Sequence, residues 1–419
     1  MSDILLGVIA DDFTGATDIA GILVAGGMRV VQVIGVPDSD IDVGDVDAVV
    51  VALKSRTAPM DEAISESLAA ADWLLSHNAR QLFFKYCSTF DSTSAGNIGP
   101  VADALLEQLS APLAIVCPAF PENARTIYKG NLFVGDVLLS ESSMRNHPLT
   151  PMTDSNLVRL MDAQSQHSAG LVDMSVVGAG SAAIQTAFDK LIEEGRRYAV
   201  VDAISDRDLY AIGKAVADHK LITGGSGVAL GLPANLLSAE KATPGGAIPS
   251  IEGGELVLAG SCSAMTLRQV SRMSENYPAL ALDPLDIADG RTTPQSVTSW
   301  LGDAGGSRTL IYSTATPQSV QEVQQKLGVD AAGKLVENLL GEVARMAVAN
   351  GVRRLVVAGG ETSGAVVKAL GVSALQIGAQ IAPGVPWTTT TGTPQLALAL
   401  KSGNFGGPDF FSDALDMLP

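Results

Sequence analysis

The stretch LLGVIADDFTGATD, residues 5–18, places two adjacent carboxylates, Asp11 and Asp12, where a strand gives way to a helix. Its apolar first part has the length of a strand, and Thr14 to Ala25 has the pattern of a helix with small residues on its packed side. Ligands of open parallel sheets bind outside the carboxyl ends of the strands. The stretch therefore predicts a polar ligand site, while a plain helix cap at Asp12 or Thr14 is the alternative.

Strand-like runs alternate with helix-like segments along the whole chain. In the first half the predicted strands are residues 48–53, 82–87, 113–117, 171–177 and 198–202, with a long loop at residues 118–135. In the second half they are residues 255–259, 309–313, 354–358 and 396–400, with helices at residues 317–327 and 331–350 among others. This alternation is typical of α/β proteins whose parallel sheets are covered by helices on both faces.

Residues 239–254 contain prolines and glycine pairs but few large apolar side chains, as a linker does. We therefore expect two domains, residues 1–238 and 255–419, each a largely parallel sheet flanked by helices, with an interdomain cleft. A chain of 419 residues with 47% hydrophobic content is long enough to form two such cores.

The formal net charge of −18 makes the chain a poor binder of nucleic acid, and anionic ligands need local positive pockets. The three cysteines are widely spaced, which indicates a reducing compartment. No apolar run approaches the length of a membrane span, and the acidic start of the chain lacks the basic region of a signal peptide. We expect a cytoplasmic protein without a membrane or nucleic-acid partner, whose oligomeric state the sequence leaves open.

Three predicted strand ends in the first half carry polar side chains: Asp11 and Asp12, Lys54 and Arg56, and Lys85 before the hydroxyl-rich residues 88–94. Carboxylates accept hydrogen bonds from sugar hydroxyls, and arginine holds a carboxylate through two parallel hydrogen bonds. Burying a lysine is costly without an anion. The set therefore suits a small polyhydroxylated acid, and an internal ion pair such as Asp12–Lys85 is the alternative.

Three turns of small residues follow predicted strands in the second half, at residues 259–263, 357–364 and 401–407. The first two of these turns also open helices. Helix N-termini carry about half a positive charge and present free N–H groups, so they bind anions such as phosphate. One such turn is common, but three in one domain favour a phosphate-binding edge.

Two further glycine patterns carry less weight. Residues 328–335 nearly spell a P-loop, but the final Ser or Thr is missing and a helix precedes them. Residues 178–183 follow a predicted strand and open a helix, and Asp202 ends the next strand. That spacing resembles a dinucleotide-binding fingerprint and keeps an oxidoreductase as an alternative. The sequence shows no metal-ligand spacing of His, Cys or carboxylates.

Several motifs resemble those of the four-carbon acid sugar kinase family, along almost the full chain. They are IADDFTGATD (residues 9–18), PAFPENARTIYKGNLFV (118–134), the TSG of AGGETSG (358–364) and LKSGNFG (400–406). HPLTPMTDSNLVRLM (147–161) resembles the branch that phosphorylates 3-oxo-tetronates. Many relatives read DSTLRG after the lysine, where this chain has CSTFDST (87–93), so Asp91 appears and an arginine is absent.

The resemblance implies that the N-terminal domain binds a four-carbon acid sugar and that the C-terminal domain binds ATP, with Mg²⁺ on the nucleotide phosphates. The substrate-binding residues that it implies are Asp11, Asp12, Thr14, Gly15, Arg56, Lys85, Ser88, Thr89, Asp91, Asn123 and Arg125. The implied nucleotide-binding residues are Ser261, Ser263, Gly359, Gly360, Glu361, Thr362, Ser363, Lys401, Gly403 and Asn404. The expected catalytic carboxylate is Asp12, with Asp11 as the second choice.

The expected reaction is ATP-dependent phosphorylation of the C4 hydroxyl of a 3-oxo-tetronate. Three alternatives stay open: the same chemistry on D-threonate or D-erythronate, a dinucleotide-dependent oxidoreductase, and a non-catalytic sensor of sugar acids. The partners expected in every case are small molecules.

Overall fold

A computed structural model describes residues 3–38, 41–147, 150–237, 246, 249–304, 308–313, 326, 328–401 and 403–418. The chain divides into two compact units, residues 1–245 and 246–419. The helix predicted at residues 317–327 lies, apart from Lys326, outside the described residues. Most of the predicted linker lies outside them as well.

The first unit contains eleven described strands. They are β1 (Leu6–Ala10), β2 (Val30–Ile34), β3 (Ala48–Ala52), β4 (Gln81–Lys85), β5 (Ala114–Cys117), β6 (Arg125–Tyr128), β7 (Asn131–Val134), β8 (Val137–Leu138), β9 (Ala169–Val172), β10 (Tyr198–Val201) and β11 (Leu221–Gly224). Eight of them form a parallel sheet in the order β2-β3-β1-β4-β11-β5-β10-β9. The central β1 is buried along its whole length, as an apolar strand covered on both faces should be.

Helices lie between these strands in the chain. They are α1 (Phe13–Ala25), α2 (Met60–Ser76), α3 (Ile98–Leu109), α4 (Leu157–Gln164), α5 (Met174–Val177), α6 (Ser181–Glu193), α7 (Asp206–Ala215) and α8 (Pro233–Leu236). Helix α3 shows why they dock: its buried side includes Ile98, Val101 and Leu105, spaced three and four residues apart.

Two predictions for the first unit are wrong. Residues 118–135 are not one long loop, because β6 and β7 pair there as antiparallel strands and β8 joins them. Residues 171–177 are not one strand, because β9 ends at Val172 and α5 begins at Met174. Asp173 accepts a hydrogen bond from the Ser175 N–H and so starts that helix.

The second unit has the strands β12 (Gly254–Ala259), β13 (Ala279–Ala281), β14 (Thr309–Tyr312), β15 (Val352–Ala358), β16 (Ala374–Ala382), β17 (Val385–Thr390) and β18 (Ala397–Lys401). Its helices are α9 (Ala264–Ser274), α10 (Pro284–Ala288), α11 (Pro294–Asp303), α12 (Val329–Ala349), α13 (Gly360–Ala369) and α14 (Phe410–Asp416). The strand order is β13-β14-β12-β15-β18-β17-β16. The first five strands are parallel, and β17 runs antiparallel to both of its neighbours.

The core of the second unit packs aromatic side chains of its last elements against apolar strand residues. Trp387, Phe410 and Phe411 are buried there with Val257 and Val356. The indole N–H of Trp387 donates to the Ala414 carbonyl at 2.9 Å, which satisfies the one polar atom of that ring. Strands β16 and β17 were not expected from the sequence.

Candidate active site

Sheet register brings the polar strand ends of the first unit to one edge. Ala10 pairs with both Ala52 and Lys85, and Lys85 pairs with Gly224. The residues that follow these strands therefore leave the sheet at the same level. This confirms that β1, β3 and β4 end together, as a parallel sheet requires.

A buried ion pair joins Asp11 to Arg56. Arg56 Nε donates to Asp11 Oδ2 at 2.8 Å, and Nη2 donates to Oδ1 at 2.9 Å. Asp11 is 3% exposed; burial raises the pKa of its carboxyl, while the charge of Arg56 opposes that rise. Because Nε and Nη2 of Arg56 already donate to Asp11, this edge of the guanidinium is not available to a substrate carboxylate.

Asp12 has the helix-cap role that the sequence offered as the alternative, and it also contacts Arg56. Its Oδ1 accepts from the Gly15 N–H at 2.8 Å and so caps α1. The same oxygen lies 3.1 Å from Arg56 Nη2, and the Asp12 side chain is 33% exposed. Asp12 is therefore tied to the turn and to Arg56, and it still faces solvent.

Lys85 is the least satisfied charged group of this edge. The residue is only 4% exposed, yet no hydrogen bond or ion pair within 4.0 Å reaches its ammonium from the described residues. The ion pair with Asp12, which the sequence left as the alternative, is not formed among the described contacts. The ammonium lies against Gly15, where an added Cβ would stand 2.1 Å from Nζ. A buried cation without a direct partner indicates a site for an anionic or oxygen-rich ligand.

The loop after β4 holds Asp91 in a strained conformation. Phe90 and Asp91 have φ values of 64° and 44°, which non-glycine residues rarely adopt. Asp91 Oδ1 accepts from Thr89 Oγ1 at 2.7 Å, and Oδ2 lies 3.7 Å from Arg56 Nη1. Asp91 thus becomes a third carboxylate around Arg56. Burial raises the pKa of the neighbouring Cys87 thiol to about 11, so this thiol is protonated at neutral pH.

The remaining predicted substrate residues are spread along the same edge. Thr14 lies in the first turn of α1, and Ser88 comes directly after Tyr86 and Cys87. Both residues are half-buried. Asn123 is exposed, and its carbonyl accepts from Arg125 Nη1. No described hydrogen bond or ion pair joins Asn123 or Arg125 to the Asp11–Arg56 pair, so the structure does not bring these two into that cluster.

The three small-residue turns of the second unit meet at the carboxyl edge of its sheet. Ala358 pairs with both Ala259 and Lys401, which aligns the three strand ends. A Cβ added to Gly403 would lie 2.3 Å from Ser261 Oγ and 2.9 Å from Ser263 Oγ. Only glycine permits this approach of the last loop to the first turn.

Helix α13 begins at this meeting point. Gly359 precedes it with a φ of 127°, and Gly360 and Glu361 are exposed in its first turn. The Ser363 hydroxyl is buried and has no hydrogen-bond partner in the part of the chain that the structure describes. The first N–H groups of a helix have no partner within that helix, so this start combines free donors, a positive dipole end and an unsatisfied hydroxyl.

Lys401 and Asn404 occupy different environments in the last loop. Asn404 is exposed. Lys401 is 1% exposed, and its Nζ donates to the Gly403 carbonyl at 2.9 Å. Burial lowers the pKa of Lys401 to about 8. The lysine therefore anchors the glycine loop, and its ammonium is already engaged.

Sequence reasoning missed residues that hold these turns in place. Thr266 Oγ1 donates to the Gly403 carbonyl at 2.8 Å, and Asn97 Nδ2 donates to the carbonyls of Ser55 and Ala58 at 2.7 and 2.9 Å. A small cavity beside Arg56 is lined by Asp11, Ser55, Phe84, Asp91, Ser92 and Asn97. For Thr266, the sequence signal that could have identified it is its position three residues after Ser263, which caps the helix.

The dinucleotide fingerprint at residues 178–183 loses its structural context. Helix α5, and not a strand, precedes Gly178. Asp202 accepts from the N–H groups of Lys129, Gly130 and Met174 at 2.8, 2.8 and 2.9 Å. The carboxylate that would bind a ribose therefore secures the β6–β7 turn. Among the described residues there is also no group of three or more His, Cys, Asp or Glu side chains that could hold a metal ion.

Comparisons with known proteins match both halves of the chain. Residues 6–232 match the sugar-binding N-terminal domain family, and residues 256–411 match the nucleotide-binding C-terminal domain family. No described helix has both the length and the apolar character needed to cross a membrane.

Individual relatives are similar along almost their whole length. A 3-oxo-tetronate kinase of Pseudomonas savastanoi pv. phaseolicola is 56% identical, over 99% of this chain and 97% of the relative. A 3-oxo-tetronate kinase of Cupriavidus necator is 55% identical over the same shares. The crystal structure of a Haemophilus influenzae protein of the DUF1537 family has a TM-score of 0.88 at 46% identity, covering 99% of this chain and 100% of the other.

Proposed function

The chain belongs to the four-carbon acid sugar kinase family, and we propose that it transfers the γ-phosphate of ATP to the C4 hydroxyl of a 3-oxo-tetronate. The products are 3-oxo-tetronate 4-phosphate and ADP. The observation that carries this proposal is the 56% identity, over 99% of the chain, with a relative named 3-oxo-tetronate kinase. The polar strand ends of the two units support it.

The first unit supplies the acid-sugar site in this proposal. Lys85 provides the buried positive charge that an acid needs, and Asp12 and Ser88 offer polar atoms at the same edge. Asp11 and Arg56 form a buried ion pair that supports the site from within the protein. The other residues of the proposed acid-sugar site are Thr14, Gly15, Thr89, Asp91, Asn123 and Arg125. Asp12 and Asp11 stay sequence-based predictions for the catalytic carboxylate.

The second unit supplies the ATP site. The start of α13 and the turns at Ser261 and Gly403 fit a phosphate chain, because they combine close backbone approach with the unsatisfied Ser363 hydroxyl. The same proposed ATP site also includes Gly359, Gly360, Glu361, Thr362, Ser263, Lys401 and Asn404. We propose that Mg²⁺ enters with the nucleotide, where it neutralises phosphate charge during transfer.

The alternatives make different predictions. A D-threonate or D-erythronate kinase would use the same two sites and differ only in substrate. An oxidoreductase is disfavoured because Asp202 and the turn at Gly178 serve the fold. A sensor would bind the acid without consuming ATP.

ADP formation with Mg²⁺ tests the proposal directly. The acceptors are L- and D-3-oxo-tetronate, D- and L-threonate, D-erythronate and no acid. We expect turnover with a 3-oxo acid that exceeds turnover with the tetronates. Turnover confined to threonate or erythronate would contradict the substrate assignment, and ADP formation with none of the acids would contradict the kinase.

A further inference from the structure

Asp91 is a buried and strained residue of the loop after β4. It is 8% exposed, and its φ of 44° lies in the left-handed region that residues other than glycine rarely adopt. Such a conformation persists only where the surrounding structure over-determines it. Inside the loop, the Asp91 N–H donates to the Thr89 carbonyl at 2.8 Å. The next residue, Ser92, connects the loop to helices of the first unit.

Gln164, the last residue of α4, holds Ser92 at two atoms. Ser92 Oγ donates to Gln164 Oε1 at 3.0 Å, and Gln164 Nε2 donates to the Ser92 carbonyl at 3.2 Å. Gln164 Oε1 also accepts at 3.1 Å from the N–H of Gly99, in the first turn of α3. A Cβ added to Gly99 would lie 2.5 Å from Gln164 Cβ, so the glycine permits this approach. One amide therefore ties the Ser92 backbone to two helices.

The place of the Asp91 carboxylate depends on its backbone. Its Oδ1 accepts from Thr89 Oγ1, which belongs to the same loop. Its Oδ2 lies 3.7 Å from Arg56 Nη1, which is beyond hydrogen-bond distance. Asp91 and Ser92 also line the small cavity of about 10 Å³ beside Arg56, so the carboxylate is not closely packed on that side. Gln164 fixes the backbone one residue further along, and the position of the carboxylate follows from that.

We infer that Gln164 is a positioning residue of the proposed acid-sugar site, which keeps the Asp91 carboxylate beside Arg56 by holding Ser92. The inference rests on the proposed function, in which Asp91 belongs to that site. A carboxylate so placed accepts hydrogen bonds from the hydroxyls of a sugar acid. Without the Gln164 amide, the strained backbone at Asp91 relaxes and the carboxylate leaves its place. Binding of the acid then weakens, while ATP, which the second unit holds in the proposal, is not affected.

The first test is Gln164→Met, which removes the three hydrogen bonds and keeps a side chain of similar length. We expect kcat/KM for the acid to fall about 10- to 100-fold, with the KM for ATP changed no more than about twofold, because small displacements of site residues have effects of this size. Gln81→Met is the matched control. Gln81 is buried at the opposite edge of the sheet, and its amide donates to the carbonyls of Val216 and His219 at 2.9 and 2.6 Å. The control should keep the wild-type kcat/KM. A Gln164→Met value within about fivefold of wild type, or an equal loss in the control, overturns the inference.

The second test is a double-mutant cycle with Asp91→Gly, whose result a purely structural role of Gln164 would not give. Asp91→Gly removes the carboxylate and adopts the positive φ without strain, so it should itself lower kcat/KM for the acid. In that background Gln164→Met should add no more than about twofold to the loss, because the group that it positions is gone. Gln164→Glu keeps the two hydrogen bonds that Oε1 accepts and should lose less than Gln164→Met. Additive losses, or an Asp91→Gly variant with the wild-type kcat/KM, overturn the inference. A wild type that forms no ADP with any acid overturns the proposed function instead.

Discussion

Replacing Gly15 with alanine should damage the proposed acid-sugar site without unfolding the protein. The added Cβ would lie 2.1 Å from Lys85 Nζ and 2.4 Å from Asp12 Oδ1. Both distances are far below van der Waals contact, so the ammonium must leave its place and the cap of α1 must loosen. The flexible lysine side chain can yield, which confines the damage to the site.

The size of the effect follows from the contact that is lost. A hydrogen bond from an ammonium to a charged ligand contributes about 1.5–3 kcal/mol, which corresponds to a loss of about 10- to 150-fold in kcat/KM. The weakened cap costs about 1 kcal/mol of unfolding free energy. Replacing glycine in a helix gains about 0.5–1 kcal/mol, so the net stability should change little.

Gly21→Ala is the matched control, because it adds the same methyl group to the same helix where nothing lies within 4 Å. It should raise the stability slightly and leave kcat/KM unchanged. The assay is ADP release at varied 3-oxo-tetronate and saturating ATP, with urea unfolding of each variant. Equal kcat/KM values for Gly15→Ala and Gly21→Ala would refute the role of Lys85 in binding the acid.

Three further predictions concern the ion pair and the second unit. Gly403→Ala should raise the KM for ATP at least tenfold, because the added methyl group collides with Ser261 and Ser263. Gly407→Ala is the control, because its methyl group meets open space and should leave the KM unchanged. Equal KM values for the two variants would contradict a phosphate site at Gly403. Burial holds the pKa of Lys401 at about 8, below its ordinary 10.5. The unfolded state therefore binds more protons between these pH values, and wild type should gain up to about 3 kcal/mol over Lys401→Met as the pH rises from 8 to 10.5. Urea midpoints at both pH values check this, and parallel curves would contradict it. Arg56→Met should lower the free energy of unfolding by about 3 kcal/mol, because it leaves the Asp11 carboxylate buried and unpaired. The double variant Arg56→Met with Asp11→Leu should recover part of this stability in urea unfolding. A double variant as unstable as Arg56→Met would contradict the Asp11–Arg56 ion pair.

Much of the fold followed from short-range patterns. The apolar run before Asp11 and the small residues after it predicted β1 and α1 within one residue of their observed starts. The prediction of a long loop at residues 118–135 was wrong. Charged residues and a glycine suggested a loop, whereas β6 and β7 form strands there by pairing with each other. The hairpin of β16 and β17 was also missed, because the preference of a segment for a strand depends on its packing context as well as on its residues.

Candidate site residues were predictable where they end strands, because the carboxyl ends of parallel strands meet at one edge. Asp11, Asp12, Lys85 and the turns at Ser261 and Gly359 were found in this way.

The sequence by itself determined which residues leave the sheet at its carboxyl edge, because strand length and polarity are local properties of the chain. Only the tertiary structure decided how those residues share their charges. Arg56 lies 45 positions after Asp11, and sheet register brings its fork onto that carboxylate. The same packing buries Lys85 without a direct partner among the described residues, and it ties Lys401 to its own loop. Hydrogen-bond partners depend on distance and side-chain direction, and neither is recorded in the order of residues.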